Sequence, residues 1–314
     1  IRSLNTRLAA PAALFVAVLP QFIWGSASVT NETASAATAA LAMWSLISAP
    51  STWPRRHLVM LGAALGFAAL AKLPGLILAL YSIAVVIVTS IRSGRREVMR
   101  RAGTVLVVFA VVAGPWLAMN AVRYGDPPGL SAHLLVINNP EASLFRVESL
   151  SGLLTFDFAR SVPGYLLAAL GTLWGVFGVH NILEPDNVYR LFNVLALVGL
   201  AGFAAGSIWP IGGSFTNRSR QWWLIGWLAL HLITVVLWAR RSGGGPGRLL
   251  FPALPVIALV YAGGWTYLSR TLPGSIAKAV QCLLVGLLAT FALAAPVWLI
   301  RPAYSIPSVV AELP

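Results

Sequence analysis

The chain has 314 residues, of which 58% are hydrophobic and only 10% are charged, and its mean hydropathy is +0.80. A soluble domain of this size would carry about 25% charged residues, so the composition excludes an ordinary soluble protein. The net charge of +13 would indicate nucleic-acid binding in a soluble protein. Here the arginines cluster in short loops between apolar segments, which is typical of cytoplasmic anchors.

The apolar segments follow one another along the chain, and several approach the roughly 20 residues needed to cross a bilayer. They fall at about 8–24, 34–50, 58–71, 74–91, 102–119, 163–180, 188–209, 222–238, 249–268 and 278–300. We therefore predict an all-α, polytopic integral membrane protein with about 9–10 transmembrane helices. It is expected to form one domain over 1–314, with five spans in 1–119, an outer-face loop with an interfacial helix in 120–187, and C-terminal spans in 188–314.

The start of the chain and its metal-binding residue types carry little information. The chain begins with Ile1 and shows no basic start, short apolar core and cleavage site of a signal peptide, so we expect the N-terminus of a longer protein to precede it. The lone Cys282 excludes an internal disulfide. The four histidines are scattered and no cysteine and histidine residues show zinc spacing, so no zinc site is predicted.

The basic loops predict the side of the membrane on which Lys72 lies. The loops 54–57 and 92–101 are the most basic and are placed in the cytoplasm. Two loops on one side require an even number of crossings, so residues 58–91 should form two spans. Pro74 and Gly75 would end one helix and start the next. Lys72 is therefore expected at the outer surface rather than at the bilayer centre.

The same parity places residues 25–33 and 120–162 outside, but it does not decide the rest of the chain. If segment 163–180 spans the membrane, Arg248 is cytoplasmic, and if it does not, Arg248 lies outside. Each alternative leaves four basic residues in the cytoplasm, so charge cannot choose between them. The short apolar length of 163–180 and its Gly and Trp content favour an interfacial or re-entrant helix.

Acidic residues collect on the predicted outer side, where we expect the polar chemistry. The seven that fall in or beside those regions are Glu32, Asp126, Glu141, Glu148, Asp157, Glu184 and Asp186. The alternative is that outer loops simply hold residues that lipid excludes. That alternative is weaker for Glu32, which sits directly against a span.

Four stretches together resemble the polyprenyl-phosphate-dependent glycosyltransferases of the GT-C superfold, akin to the protein O-mannosyltransferase and aminoarabinose-transferase families of bacteria. They are Ser26–Thr33 with its Asn-Glu pair, the Gly-rich Gly62–Lys72, Gly114–Pro127 with Tyr-Gly-Asp-Pro, and Gly247–Pro255 with Gly-Arg-Leu-Leu-Phe-Pro. Each stretch is weak alone, but their order across residues 25–255 is moderately specific.

The resemblance implies an inverting membrane glycosyltransferase that moves a sugar from a polyprenyl-phosphate carrier to an acceptor glycan, lipid or protein at the extracytoplasmic face of the inner (plasma) membrane. The family's general base lies in a first outer loop, which here would precede Ile1. Glu32 stands where the family has a second outer-face Asp, and we take it as the catalytic candidate, with Asn31 beside it as a substrate-binding candidate. Leu249 replaces the family's Tyr after Arg248, a small departure.

Cations at the outer face are candidates for binding the donor phosphate, since positive charge stabilises it both bound and departing. Lys72 is one, with a snorkelling interfacial lysine as the alternative. Arg248 is another, because the flexible Gly-rich run before it would let the guanidinium fold onto a phosphate, with a cytoplasmic anchor as the alternative. Arg123 and Asp126 are further substrate-binding candidates, or a structural pair.

Several alternatives stay open for these residues. Glu32 is suited to bind the acceptor, to orient a base, or to hold a divalent cation with a partner, while Thr30 or Asn31 would also serve as a helix N-cap. Gly62 and Gly66 are interpreted as structural, allowing close helix packing. The tryptophans are interpreted mostly as interfacial belts: Trp174, Trp209, Trp222, Trp223, Trp227, Trp238 and Trp265.

The rival functions are a lipid or sugar transporter or flippase, and a non-catalytic membrane scaffold. A transporter would show inverted repeats and charges inside its spans, and we find no convincing repeat. The few polar residues within the segments are His231, Thr234 and Gln281. The expected partners are a polyprenyl-phosphate-linked sugar, its acceptor and membrane lipid, and not nucleic acid. No cofactor is predicted beyond the divalent cation considered above.

Overall fold

The structure is a computed structural model that describes residues 6–28, 30–131, 162–178, 182–208, 218–242, 246–270 and 272–305. The α-helices of these residues are α1 Thr6–Ala17, α2 Pro20–Ala27, α3 Glu32–Ser48, α4 Arg55–Ala71, α5 Pro74–Ser90, α6 Arg95–Tyr124, α7 Val162–Trp174, α8 Asp186–Ile208, α9 Arg218–Ser242, α10 Leu254–Ser269, α11 Gly274–Ala295 and α12 Arg301–Ala303. Two 3₁₀ segments, Ile91–Ser93 and Gly247–Ala253, and a π-helical segment, Pro296–Ile300, complete the helical structure. Two short strands, β1 Val176–Phe177 and β2 Ile182–Leu183, form an antiparallel hairpin.

The chain is a polytopic, all-α membrane protein, as predicted. Within the described ranges, six helices are long and apolar enough to cross a membrane, and the pair α1 and α2, bent by 57°, makes a seventh if it is one span. Helices α3 and α4 have 17 residues each and are therefore about 25 Å long. The count reaches nine, the lower end of the expected 9–10 spans, only if the bent pair and these two shorter helices also cross.

Contacts between helix termini define two ends of the helical bundle. At one end, which we call the Lys72 end, the Asn31 side chain before α3 donates to the carbonyl of Ala71, the last residue of α4, at 2.9 Å. At the opposite end, Arg220 at the start of α9 donates to the carbonyl of Ala49, just after α3, at 3.1 Å. Helix α9 therefore runs back toward the Lys72 end and delivers the chain to the 3₁₀ segment Gly247–Ala253 there.

Segment 163–180 is not one continuous helix. Helix α7 has 13 residues, about 20 Å, and the chain then turns into the β1–β2 hairpin. The backbone N–H of Val176 donates to the side-chain oxygen of Gln21 in α2 at 2.5 Å, which fixes the hairpin to the Lys72 end. The end of α7 and the hairpin therefore both lie at the Lys72 end, and the interfacial or re-entrant position of this segment stays a prediction.

The structural interpretation of Gly62 and Gly66 is confirmed. A Cβ on Gly62 would come within 2.7 Å of the Val105 carbonyl oxygen of α6, and one on Gly66 within 2.6 Å of the Val112 Cβ. Contacts this short are sterically impossible without a shift of the backbone. Helices α4 and α6 therefore pack as closely as they do because both positions lack a side chain.

The interpretation of the tryptophans as interfacial belts is wrong for two of them. Trp174 and Trp227 are almost completely buried in the core of the bundle. The Trp174 indole nitrogen donates to the Asn193 side chain at 2.8 Å, and the Trp227 indole nitrogen donates to the Pro252 carbonyl at 3.3 Å. Buried indoles need such partners, so these two residues hold elements together. Trp209 lies outside the described residues.

Candidate functional site

Lys72 lies at the tip of the α4–α5 helical hairpin, where the sequence placed it. Its backbone is extended, with φ −163° and ψ 150°, and its carbonyl accepts a hydrogen bond from the N–H of Gly75 at 2.8 Å. A Cβ on Gly75 would collide with the backbone of Ala68. The turn is therefore tight because Pro74 starts α5 and Gly75 allows the two helices to approach each other.

Glu32 pairs directly with Lys72 across the two helices. Both carboxylate oxygens lie 2.7 Å from the Lys72 Nζ, and the exposed fractions of the two side chains are only 7% and 18%. Glu32 is the first residue of α3, where the partial positive charge of the helix N-terminus favours a carboxylate. The two residues predicted to share a face thus form a buried ion pair, although they lie 40 residues apart in sequence.

Asn31 is not the side-chain N-cap of α3, although it occupies that position. Its amide nitrogen instead donates to the carbonyl of Ala71, which is one of the carbonyls left unpaired at the end of α4. The backbone N–H of Glu32 donates to the Thr30 hydroxyl at a long 3.4 Å. Asn31 therefore ties the start of α3 to the residue before Lys72 and holds the two charged residues in register.

Arg248 joins this pair from a distant part of the sequence. Its Nε lies 3.6 Å from Glu32 Oε1, and 39% of its side chain is exposed. Arg248 therefore lies at the same end of the bundle as Lys72, which the balance of basic loops alone could not decide. The interpretation of Arg248 as an anchor at the end opposite to Lys72 is excluded by this contact.

Close packing, rather than flexibility, fixes the backbone at Arg248. The N–H of Gly247 donates to the Thr172 hydroxyl of α7 at 2.7 Å, and a Cβ on Gly247 would collide with the backbone of Leu173. Residues 243–245 of the Gly-rich run lie outside the described residues. The glycine that precedes Arg248 thus serves a close approach between two elements, and the proposed free folding of the arginine applies only to its side chain.

The three charged groups leave an excess of positive charge. Glu32 neutralises one of the two cations, so the cluster carries one net positive charge. Burial lowers the pKa of Lys72 below its ordinary value, the attraction and hydrogen bonds of Glu32 oppose this change, and the Arg248 charge adds to it. An anion that approaches the half-exposed Arg248 would stabilise both cations.

A cavity of about 130 Å³ opens beside the cluster. Its walls come from α2, from the residues before α3, from the hairpin and from the 3₁₀ segment, and they are Gln21, Trp24, Gly25, Ser28, Thr30, Glu32, Val176, Gly178 and Arg248. Both Glu32 and Arg248 reach this space, whereas Lys72 stands behind Glu32. The walls offer hydroxyl, amide and aromatic groups next to charged ones, which is the lining expected for a polar ligand.

Arg123 and Asp126 do not join the cluster through any contact among the described residues. Arg123 is exposed at the end of α6, and no ion pair links it to Asp126 there. Asp126 instead accepts a hydrogen bond from the N–H of Ser131 at 2.7 Å, which caps the turn after α6. Their binding of substrate remains a prediction.

Glu184 is a buried carboxylic acid that the sequence did not single out as a site residue. It is 4% exposed, and neither carboxyl oxygen has a hydrogen-bond partner within the described part of the chain. Burial raises the pKa of Glu184 to about 8. Its carboxyl group is therefore neutral near pH 7. Glu184 comes directly after strand β2 of the hairpin that lines the cavity.

The 3₁₀ segment that carries Arg248 is contacted by His231, Trp227 and Thr172. The sequence did not predict these contacts. The sequence identified His231 only as a polar residue within a span. In the structure its side chain contacts the backbone carbonyl of Leu249, the residue after Arg248. Tertiary contacts of this kind leave no signal in a single sequence. Across the described ranges, no three His, Cys, Asp or Glu residues form a group able to hold a metal ion.

Comparison with known families supports the resemblance for the first part of the chain. Residues 1–118 match the model of the dolichyl-phosphate-mannose-protein mannosyltransferase family. The match includes Asn31, Glu32 and Lys72 but ends before Arg123, Asp126 and Arg248. No curated protein and no solved structure matches the chain.

Proposed function

We propose that the chain is a membrane glycosyltransferase of the inverting, lipid-linked type, which moves a sugar from a polyprenyl-phosphate carrier to an acceptor. The observation that carries this proposal is the cluster of Glu32, Lys72 and Arg248 at the cavity. Two of its members lie in the part of the chain that matches a mannosyltransferase family. The third, Arg248, lies 176 residues after Lys72 in the sequence, and the fold brings it within 3.6 Å of Glu32.

The charge change of the reaction fits an excess of cations. In the donor, the phosphate is a diester with one negative charge. When the bond between C1 of the sugar and the phosphate oxygen breaks, the departing polyprenyl phosphate becomes a monoester and gains a second negative charge. Preorganised cations next to that oxygen stabilise the transition state more than the bound donor, which is the requirement for catalysis.

Arg248 is proposed to contact the phosphate first, because its side chain is the most exposed of the three and lines the cavity. Lys72 supplies the second charge from behind Glu32. Glu32 remains the proposed catalytic residue. Its contacts favour a role in which it holds and orients Lys72 while one face of its carboxylate borders the cavity.

The position of the cluster in the bundle supports an outer-face site. Helix α6 starts within the basic loop 92–101, and the loop before α4 carries Arg55 and Arg56. These loops lie at the end opposite to Lys72, and basic loops stay in the cytoplasm. We therefore propose that the cavity faces the extracytoplasmic side of a bacterial inner membrane, with a glycan, lipid or protein as acceptor.

The experiment measures release of polyprenyl phosphate from polyprenyl-phosphate mannose in native membranes, which supply the acceptors, that contain the full-length gene product. Polyprenyl-phosphate glucose and aminoarabinose serve as parallel donors, because the site does not identify the sugar. We expect Lys72→Met and Arg248→Gln to lower the release rate roughly 100-fold, the typical effect of removing one group that stabilises a developing negative charge.

Arg100→Gln provides the matched control. It removes the same charge at the other end of the bundle, where Arg100 pairs with Glu97 on the exposed surface, and it should release polyprenyl phosphate at the wild-type rate. Undiminished release by Lys72→Met and Arg248→Gln would refute the proposed site. Wild-type protein that releases nothing from any of the three donors would refute the proposed function.

A further inference from the structure

The turn that carries Arg248 is an unusual backbone segment. Residues 247–253 form a 3₁₀ helix of seven residues, whereas runs longer than three or four residues are uncommon. Pro252 lies within it and has no N–H to donate. Such a segment depends on contacts from neighbouring elements, and Thr172 supplies one on the N-terminal side of Arg248.

His231 supplies the contact on the other side. Its Nε2 lies 2.8 Å from the carbonyl oxygen of Leu249, the residue after Arg248. Because a carbonyl oxygen only accepts, Nε2 must carry the proton and act as the donor. The imidazole is 1% exposed and stacks on the Trp227 indole, with 5.2 Å between ring centroids and 24° between planes.

The gap between Arg248 and Glu32 makes the position of this turn important. At 3.6 Å, Arg248 Nε lies just beyond hydrogen-bond distance of Glu32. The guanidinium is therefore held near the carboxylate while it stays available to a ligand in the cavity. A shift of about 1 Å in a group that binds a reacting substrate can cost roughly 100-fold in rate.

We propose that His231 is a positioning residue for Arg248, which holds the 247–253 turn through the Leu249 carbonyl so that the guanidinium meets an anionic phosphate at the cavity. This inference rests on the proposed function for the identity of the ligand. The mechanical role of His231, which is to hold the 247–253 turn, does not depend on the proposed function. A histidine that only fills the core would not affect Arg248 once the stacked ring was kept.

The test compares His231→Phe with His231→Gln. Phenylalanine keeps a ring on Trp227 but removes the donor, whereas glutamine keeps an N–H at similar reach. Thr234→Val is the control, because Thr234 contacts His231 and makes no described contact with the turn. Melting temperature in detergent shows that each variant is folded.

Two readouts separate this inference from the proposed function. Hydrogen exchange of the full chain reports the 247–253 turn without any ligand, and we expect faster exchange in His231→Phe but not in His231→Gln or Thr234→Val. Binding of a long-chain polyprenyl phosphate to the protein in nanodiscs reports Arg248. We expect about tenfold weaker binding in His231→Phe, the size expected for one lost hydrogen bond, and no further loss when His231→Phe is added to Arg248→Gln.

The outcomes that contradict the inference are distinct. Unchanged exchange of the turn in His231→Phe overturns it whatever the ligand does. Wild-type affinity in His231→Phe, while Arg248→Gln binds weakly, overturns it and leaves the proposed function standing. Failure of the wild type to bind polyprenyl phosphate, with altered exchange in His231→Phe, contradicts the proposed function and leaves the mechanical role.

Discussion

The two ends of the bundle carry ion pairs of opposite character. At one end Glu97 pairs with Arg100, three residues further along α6, and the exposed fractions of the two side chains are 34% and 45%; Arg101, which also contacts Glu97, is itself buried. At the other end Glu32 and Lys72 pair over 40 residues, and both are largely buried. The first pair is local and solvated, whereas the second exists only because α3 and α4 pack side by side.

The two kinds of ion pair differ in what they contribute to stability. An exposed pair within one helix contributes little and has few consequences beyond its own helix. Burying a pair of charges costs desolvation free energy, which the attraction between them only partly returns. Such a pair beside a cavity, with a third charge at 3.6 Å, is therefore weak evidence for stability and fits the proposed binding of a phosphate.

The largest expected effect concerns Glu184, the buried acid whose carboxyl oxygens have no hydrogen-bond partner among the described residues. The unfolded chain loses this proton near pH 4.5 and the folded protein near pH 8. Between these values the folded protein binds one more proton, so the free energy of unfolding should fall as the pH rises, by roughly 4 to 5 kcal/mol in total. Unfolding in detergent at pH 5 and pH 8.5, for wild type and Glu184→Gln, measures this slope.

Glu184→Gln should remove most of that dependence and be more stable than wild type at pH 8.5. Equal slopes in the two proteins would show that Glu184 is solvated or paired in the folded state. The contrast between a paired and an unpaired buried carboxylate at the Lys72 end would then disappear.

The next effect tests the ion pairs of the two ends against each other. Glu32→Gln leaves Lys72 and Arg248 close together without a counter-charge, so the free energy of unfolding should fall by about 3 kcal/mol. Arg100→Gln, which breaks the exposed pair and leaves Glu97 with the buried Arg101, should leave the unfolding curve indistinguishable from that of wild type. Unfolding by SDS titration of both variants measures the difference, and equal effects would contradict the contrast between the ends.

The smallest effect concerns the backbone near each end. Gly75→Ala should destabilise the protein by about 1 to 3 kcal/mol, because the new methyl group collides with Ala68 and displaces the turn at Lys72. Gly103→Ala is the matched control in α6, where a Cβ meets no atom within 4 Å. It should stabilise the helix by up to about 1 kcal/mol. Thermal unfolding curves would contradict this account if both changes shifted the midpoint in the same direction.

Much of the fold and part of the site follow from sequence patterns. The apolar segments set the helices, since roughly 20 apolar residues in a row must cross or lie within a bilayer. Counting the crossings between basic loops placed Lys72 at a helix tip and Glu32 on the same face. Gly62 and Gly66 were recognised as packing positions because their spacing of four residues puts them on one side of a helix.

The location of Arg248 shows what a single sequence leaves open. Its side depends on whether 163–180 crosses the membrane, and the basic residues are balanced between the two alternatives. The contact with Glu32 at 3.6 Å puts Arg248 at the Lys72 end of the bundle, and contacts of Gly247 with α7 and of Leu249 with His231, over 75 and 18 residues, hold its segment there. No periodicity records such contacts, because each depends on the shape of the packed bundle.

The sequence by itself determined that this is a membrane protein, roughly where most of its helices lie, and that Glu32 and Lys72 share a face. These are properties of hydropathy, turn residues and loop charge, which act locally along the chain. Only the tertiary structure decided that Glu32, Lys72 and Arg248 form one cluster at a cavity and that the Glu184 side chain is buried. The physical reason is that burial and charge pairing are properties of the space between helices, and that space exists only after packing.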